Sequence, residues 1–80
     1  MKETNWNKSI GEKLRKLRVN SNYSQATIAG CLNISRNAYM EWENGNIDFT
    51  LAKLHQICEC YEIELHELIN NLPLRLNSSD

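Results

Sequence analysis

Proline occurs once and glycine three times in 80 residues, so little breaks a helix, and the β-branched alternation that builds strands is missing. No apolar run is long enough to span a bilayer, and the first residues lack the uninterrupted apolar stretch of a secretory signal. A cytoplasmic protein with no membrane role is therefore expected. No phosphate-cradling glycine-rich loop is present, and no nucleophile has an evident base and orienting partner. A chain this short also cannot close a pocket around a small-molecule substrate. Neither enzyme activity nor a cofactor is expected.

Cysteine is scarce too. Cys31, Cys58 and Cys60 are an odd number and sit in apolar patterns rather than a loop-rich framework, so the expectation is three reduced core residues rather than a disulfide scaffold. His55, Cys58, Cys60 and His66 do not make a metal site. Residues 58 and 60 are two apart on a helix and point to different sides, unlike a C-x-x-C knuckle.

A strong excess of one charge is absent, the formal net being −1, whereas a stand-alone nucleic-acid binder is typically basic. The total hides an asymmetry. Residues 1 to 42 hold seven Lys/Arg against three acids, a net of +4, and residues 43 to 80 hold two against seven, a net of −5. Only the N-terminal part is suited to face phosphate.

What the chain does contain is helical punctuation. Trp6, Ile10, Leu14 and Leu17 form an amphipathic stripe. Lys8, Lys13, Arg15 and Lys16 lie on its other faces, as solvated charges or as occasional phosphate contacts. Four later helix starts carry one device, an apolar residue, a cap, and a second apolar residue four positions past the cap. The sets are Tyr23-Ser24 with Ile28, Ile34-Ser35 with Tyr39, Phe49-Thr50 with Leu54, and Ile63-Glu64 with Leu68. Five helices result, at about 6 to 20, 25 to 32, 36 to 43, 51 to 61 and 65 to 71. The fold class is all-α, a domain over residues 1–72 with its core at about 9–70, and a polar C-terminal tail at 73–80. Asn44-Gly45 is a strong helix stop.

Gln25 to Trp42 is the informative segment. Two short helices joined by Asn33, Ile34 and Ser35 have the spacing of a helix-turn-helix. Such a link needs a small residue where the backbones approach, a turn residue tolerant of left-handed dihedrals and two buried apolars on the second helix. Ala29, Asn33, Tyr39 and Trp42 supply them. With Tyr39 and Trp42 inward, Arg36, Asn37, Met40 and Glu41 face out at the start of the second helix and are the base-reading candidates, since Arg can take guanine O6 and N7 and Asn adenine N6 and N7. Met40 reads equally as a gap-filler. Glu41 either accepts from a cytosine amine or faces solvent. Gln25, on the first turn of the preceding helix, would meet a phosphate.

Tyr23-Ser24-Gln25, Ile28-Ala29, Leu32, Ile34-Ser35-Arg36, Tyr39, Trp42-Glu43-Asn44-Gly45, Leu54 and Leu65-His66-Glu67-Leu68-Ile69 together resemble the phage repressor, Cro and Xre family, over about Ile10 to Ile69. The resemblance implies a compact five-helix lambda-repressor-like domain, with the helix-turn-helix as its second and third helices. It implies a homodimer on double-stranded DNA with a palindromic operator, usually repressing transcription. By it Gln25 and Asn44 are phosphate-contacting positions, which Ser35 joins as a candidate, and Arg18 and Glu43 match a partly buried ion pair. Two departures stand out. Gly30 weakens its helix, and Glu62 stands where the family usually has Gly.

One short helix reads few bases, so dimerisation is expected, with half-sites about 34 Å apart. The candidate interface is Ile63, Leu65, Ile69, Leu72, Leu74 and Leu76, where apolar residues exceed what one small domain buries. The alternative is a protein-interaction module, such as the antitoxin of a toxin pair or a restriction-modification controller, whose acidic C-terminal half binds a protein partner. A third reading is a thiol or metal sensor.

Overall fold

The computed structural model describes residues 5–70. Its helices are α1 (Asn5–Asn20), α2 (Gln25–Leu32), α3 (Arg36–Glu43), α4 (Leu51–Tyr61) and α5 (Leu65–Ile69), with no strand among the described residues. Three starts are held by side-chain caps. Ser24 Oγ accepts from Thr27 N–H at 3.0 Å, Ser35 Oγ from Ala38 N–H at 3.0 Å and Thr50 Oγ1 from Lys53 N–H at 3.3 Å, each satisfying a donor that a helix start leaves free. The start of α5 is held from the other direction, the Glu64 N–H donating to the Glu67 carboxylate at 2.8 Å.

The helix ends turn on left-handed residues. Asn33 closes α2 at φ 62° and Glu62 closes α4 at φ 57°. Asn tolerates this region through its short polar side chain, whereas Glu has no such relief. Gly45 follows α3 at φ +74°, where a Cβ would also lie 2.8 Å from the Lys8 Cα.

One core unites all five helices. Ile10 and Leu14 from α1, Ile28, Ala29 and Leu32 from α2, Tyr39 and Trp42 from α3, Leu54 and Ile57 from α4 and Leu68 from α5 are buried together with Phe49 and Cys58. Trp42 meets Phe49 edge to face, ring centroids 5.8 Å apart, an arrangement favoured by the ring quadrupoles. The loop into α4 is tied back to α1, with Phe49 N–H donating to Asn7 Oδ1 at 3.1 Å. At the crossing of α1 and α3, Gly11 is buried so closely that a Cβ there would sit 2.5 Å from the Glu43 carbonyl oxygen.

The cysteines depart from the expectation of three reduced core residues. Cys31 and Cys60 form a disulfide that joins α2 to α4, with Cα atoms 6.0 Å apart, and only Cys58 is free and buried. Cys31 is exposed and Cys60 half-buried. Packing of α2 against α4 is what brings the two within bridging distance. A cysteine pattern unsuited to a multi-bridge scaffold is compatible with a single bridge between cysteines 29 residues apart.

Candidate nucleic-acid interface

The turn Asn33-Ile34-Ser35 sets α3 against α2 through a closed set of backbone bonds. The N–H of Ile34 donates to Ala29 O at 3.0 Å and that of Asn33 to Gly30 O at 3.1 Å. From this rigid corner α3 presents two faces. Tyr39 and Trp42 go into the core, while Arg36, Asn37 and Glu41 are exposed and Met40 is half-buried. Among the described residues no side-chain hydrogen bond engages Arg36 or Asn37, whereas Glu41 accepts from the Asn46 amide at 2.8 Å. Glu41 is thereby drawn toward the end of α3, away from Arg36 and Asn37.

Of the phosphate-contacting candidates, Ser35 is exposed and uses its hydroxyl as the α3 cap, and Asn44 is exposed just past the other end of α3. The Asn44 carbonyl accepts from Lys8 Nζ at 3.1 Å. Gln25 is half-buried and donates its amide to Glu43 Oε1 at 3.2 Å. Of the first-turn N–H groups of α2, that of Thr27 is taken by Ser24 Oγ, and those of Gln25 and Ala26 remain as anion-facing donors. Of the remaining α1 cations, Lys13 reaches the Asn70 carbonyl at 3.3 Å, and Arg15 and Lys16 are exposed.

Beneath this surface Arg18 grips Glu43. Arg18 Nε lies 2.6 Å from Oε2 and Nη2 lies 3.4 Å from Oε1, a forked contact suited to guanidinium and carboxylate. Arg18 Nη1 also donates to Tyr23 O at 3.1 Å. The two side chains are 15% and 5% exposed, so the pair joins the end of α1 to the end of α3 out of water. Burial pushes the Glu43 carboxyl up, but hydrogen bonds from Arg18 and Gln25 and the Arg18 charge outweigh it and hold it below the usual carboxylate range. The Tyr39 hydroxyl lies near this carboxylate but, like that of Tyr61, is buried without a hydrogen-bond partner. Burial, above all, pushes the Tyr61 phenol up to about 12.

Sequence reasoning missed three contributors to this surface. Gly11 sets the distance between α1 and α3, Lys8 holds the exit of α3, and Asn46 holds Glu41. A mid-helix glycine was the only signal for Gly11, and the two polar contacts had none.

Between α4 and α5, an apolar groove of about 930 Å³ is lined by Leu51, Ala52, Ile63 and Leu65 together with His55, Cys58, Glu59, Glu62 and Glu64. Leu51 is 69% exposed. Of the interface candidates, Leu65 is exposed and Ile63 and Ile69 half-buried. Leu72, Leu74 and Leu76, with the tail at 73–80, lie outside the described residues. No group of acids, histidines and cysteines that could hold a metal occurs among the described residues, and no described helix is long and apolar enough to cross a membrane.

Comparison with known proteins agrees with this architecture. Residues 11–72 match the family model of a helix-turn-helix domain. A solved structure, the clp gene regulator ClgR from C. glutamicum, superposes with a TM-score of 0.74 at 17% identity, covering 79% of this chain and 82% of that one. At that identity the likeness is one of fold. No curated protein matches the chain in sequence.

Proposed function

The chain belongs to the helix-turn-helix domain family, a DNA-binding rather than enzymatic class of transcriptional regulators, and on that premise we propose that it is a repressor binding a palindromic operator as a homodimer. The observation that carries this reading is the division of α3. Its inner face is locked by Tyr39 and Trp42, and its N-terminal outer face offers Arg36 and Asn37, exposed and without a side-chain hydrogen bond among the described residues. A helix so presented fits the major groove with those residues nearest the bases, where each good bidentate pair discriminates by about 1–3 kcal/mol.

Phosphate contacts then fix the register. The start of α2 at Gln25, the cap Ser35 and the exit Asn44 bracket α3, and contacts of this kind position a protein without reading sequence. Met40 and Glu41 stand one turn further along α3, Met40 able to meet a thymine methyl and Glu41 a cytosine amine once released from Asn46. Dimerisation through Ile63, Leu65, Ile69 and the Leu72–Leu74 segment would place two such helices on successive major grooves. The exposed apolar groove beside Leu51 and Leu65 supports that surface.

Selection of bound sequences from a random DNA pool, at two salt concentrations, tests the proposal. The native chain should enrich a palindrome with half-sites about one turn apart, and Arg36→Ala/Asn37→Ala should blur one position of each half-site. Binding should weaken steeply as salt rises, because phosphate contacts release counterions. No enrichment by well-folded protein would move the assignment to the second reading, a protein-interaction module. The three acids Glu59, Glu62 and Glu64 that line the groove between α4 and α5 favour that one, since like charges oppose pairing with a second copy and suit a basic partner.

A further inference from the structure

The Cys31–Cys60 bridge joins α2 to α4, two helices that also meet through residues other than the cysteines. That contact already buries Ile28, Ala29 and Leu32 on one side and Leu54 and Ile57 on the other. The bridge is also reachable. A recess of about 240 Å³, lined by Cys31, Leu32, Asn33, Gln56, Glu59 and Cys60, opens directly beside it, and Cys31 is exposed. Most disulfides that serve only as struts are shielded from thiols, whereas exposed ones are the labile ones.

We propose that Cys31 and Cys60 are a reversible redox-modification site, exchanging between disulfide and dithiol with a low-molecular-weight thiol–disulfide couple, and that this exchange sets how firmly the first helix of the helix-turn-helix is held to α4. In reduction, a thiolate of the couple enters the recess and attacks the Cys31 sulfur, the more exposed of the two. The Cys31–Cys60 bond breaks, and Cys60 leaves as a thiolate that takes a proton from water. A second thiolate of the couple then displaces Cys31 from the mixed disulfide, so two thiols form on the protein and the couple carries away one disulfide. Two electrons pass from the couple to the protein. Oxidation runs the same steps backwards, with the couple's disulfide as oxidant.

Cys58 takes no part. It is two residues from Cys60 but turned into the core, where burial, and then Glu64 and Glu67, push its thiol up and keep it protonated. Cys31 stands two residues before Asn33, whose left-handed backbone forms the turn, so the bridge pins the chain just where it enters α3. Opening it frees a loop of 29 residues' separation in the unfolded chain. The thermal midpoint should fall by about 15 °C on reduction.

The test uses the full chain equilibrated in mixtures of reduced and oxidised glutathione, quenched with acid, denatured, alkylated and weighed, with thermal melts in parallel. The native chain should show one alkylated thiol at the oxidising end, mapped to Cys58, and three at the reducing end. Its midpoint should drop between them, and Cys58→Ser, with no alkylated thiol at the oxidising end and two at the reducing end, should show the same drop. Cys31→Ser and Cys60→Ser should melt near the reduced native chain throughout and form no intramolecular bond, their remaining thiol taking at most one glutathione as a mixed disulfide. Three thiols across the whole series, a bond that maps to Cys58, or a bond that forms without changing the melt would each overturn the proposal. None of these readings depends on DNA.

Discussion

Gly11→Ala should destabilise the fold, although in most helices this substitution helps. In an open helix, Ala exceeds Gly by about 1 kcal/mol. At Gly11 a Cβ would lie 2.5 Å from the Glu43 carbonyl oxygen, 2.8 Å from the Trp42 carbonyl oxygen and 3.0 Å from the Glu43 carbonyl carbon, which is roughly 1 Å short of ordinary contact. All three atoms are backbone, so no side chain can rotate aside, and the last turn of α3 must move off α1. That turn carries Glu43, whose bond to Arg18 is 2.6 Å long, and Trp42, which is in the core. Overpacking of this kind costs about 1–3 kcal/mol, and loosening the ion pair puts the total at the upper end. After the propensity gain the net loss should be about 2 kcal/mol, lowering the midpoint by about 8–16 °C in a chain of this size. Gly30→Ala is the internal control. A Cβ there meets nothing within 4 Å, so the propensity gain should stand alone and raise the midpoint by a few degrees, about 4–8 °C at most. Both variants are read by far-ultraviolet circular dichroism at fixed glutathione ratio, so that the Cys31–Cys60 bridge does not vary. If Gly11→Ala melts at or above the native chain, the argument from close approach is wrong.

Removing the Glu43 charge should act on pH dependence as well as on stability. Its carboxyl is depressed in the folded state, so its contribution is fully present above the ordinary carboxylate range and is lost as pH falls through the lower folded value. Glu43→Gln should cost about 3 kcal/mol near neutrality by leaving Arg18 buried and unpaired, and melts of the two proteins should converge as pH falls below the ordinary carboxylate range. A gap that stays constant with pH would refute the pairing as the cause. Glu62→Gly should stabilise by about 1 kcal/mol, because Glu62 holds φ 57° without a side chain suited to it. An unchanged denaturation midpoint would mean the strain is relieved elsewhere.

The helices were legible in the sequence because several independent signals agree on each boundary. Ser24, Ser35 and Thr50 are caps by residue type, and the apolar residues flanking them repeat the same interval, so α2, α3 and α4 begin where the pattern says. The turn at Asn33 and the burial of Tyr39 and Trp42 follow from the same local chemistry. The end of α5 was placed two residues too far, at 71 rather than Ile69, since nothing local stops it before Pro73. Contacts made only in three dimensions were not legible. The Cys31–Cys60 bond depends on how α2 crosses α4, and the close approach at Gly11 on how α1 crosses α3. The first crossing leaves no mark at one position, and the second only a mid-helix glycine. Spacing offers Glu41 either a base or solvent, and its bond to Asn46 is a third state that spacing alone does not suggest.

The unshared outer face of α3 has a consequence for how such a protein can change over generations. Arg36 and Asn37 neither cap the helix nor brace the core, so exchanging them should alter which sequence is chosen while leaving the melting curve where it was. Arg18, Gly11 and Glu43 stand at the opposite extreme, since altering any of them shifts the scaffold under every reading residue at once. If α3 reads bases as proposed, vocabulary and grammar are held by separate residues. A duplicated copy could acquire a new operator through one or two substitutions on α3, with no compensating change elsewhere in the domain.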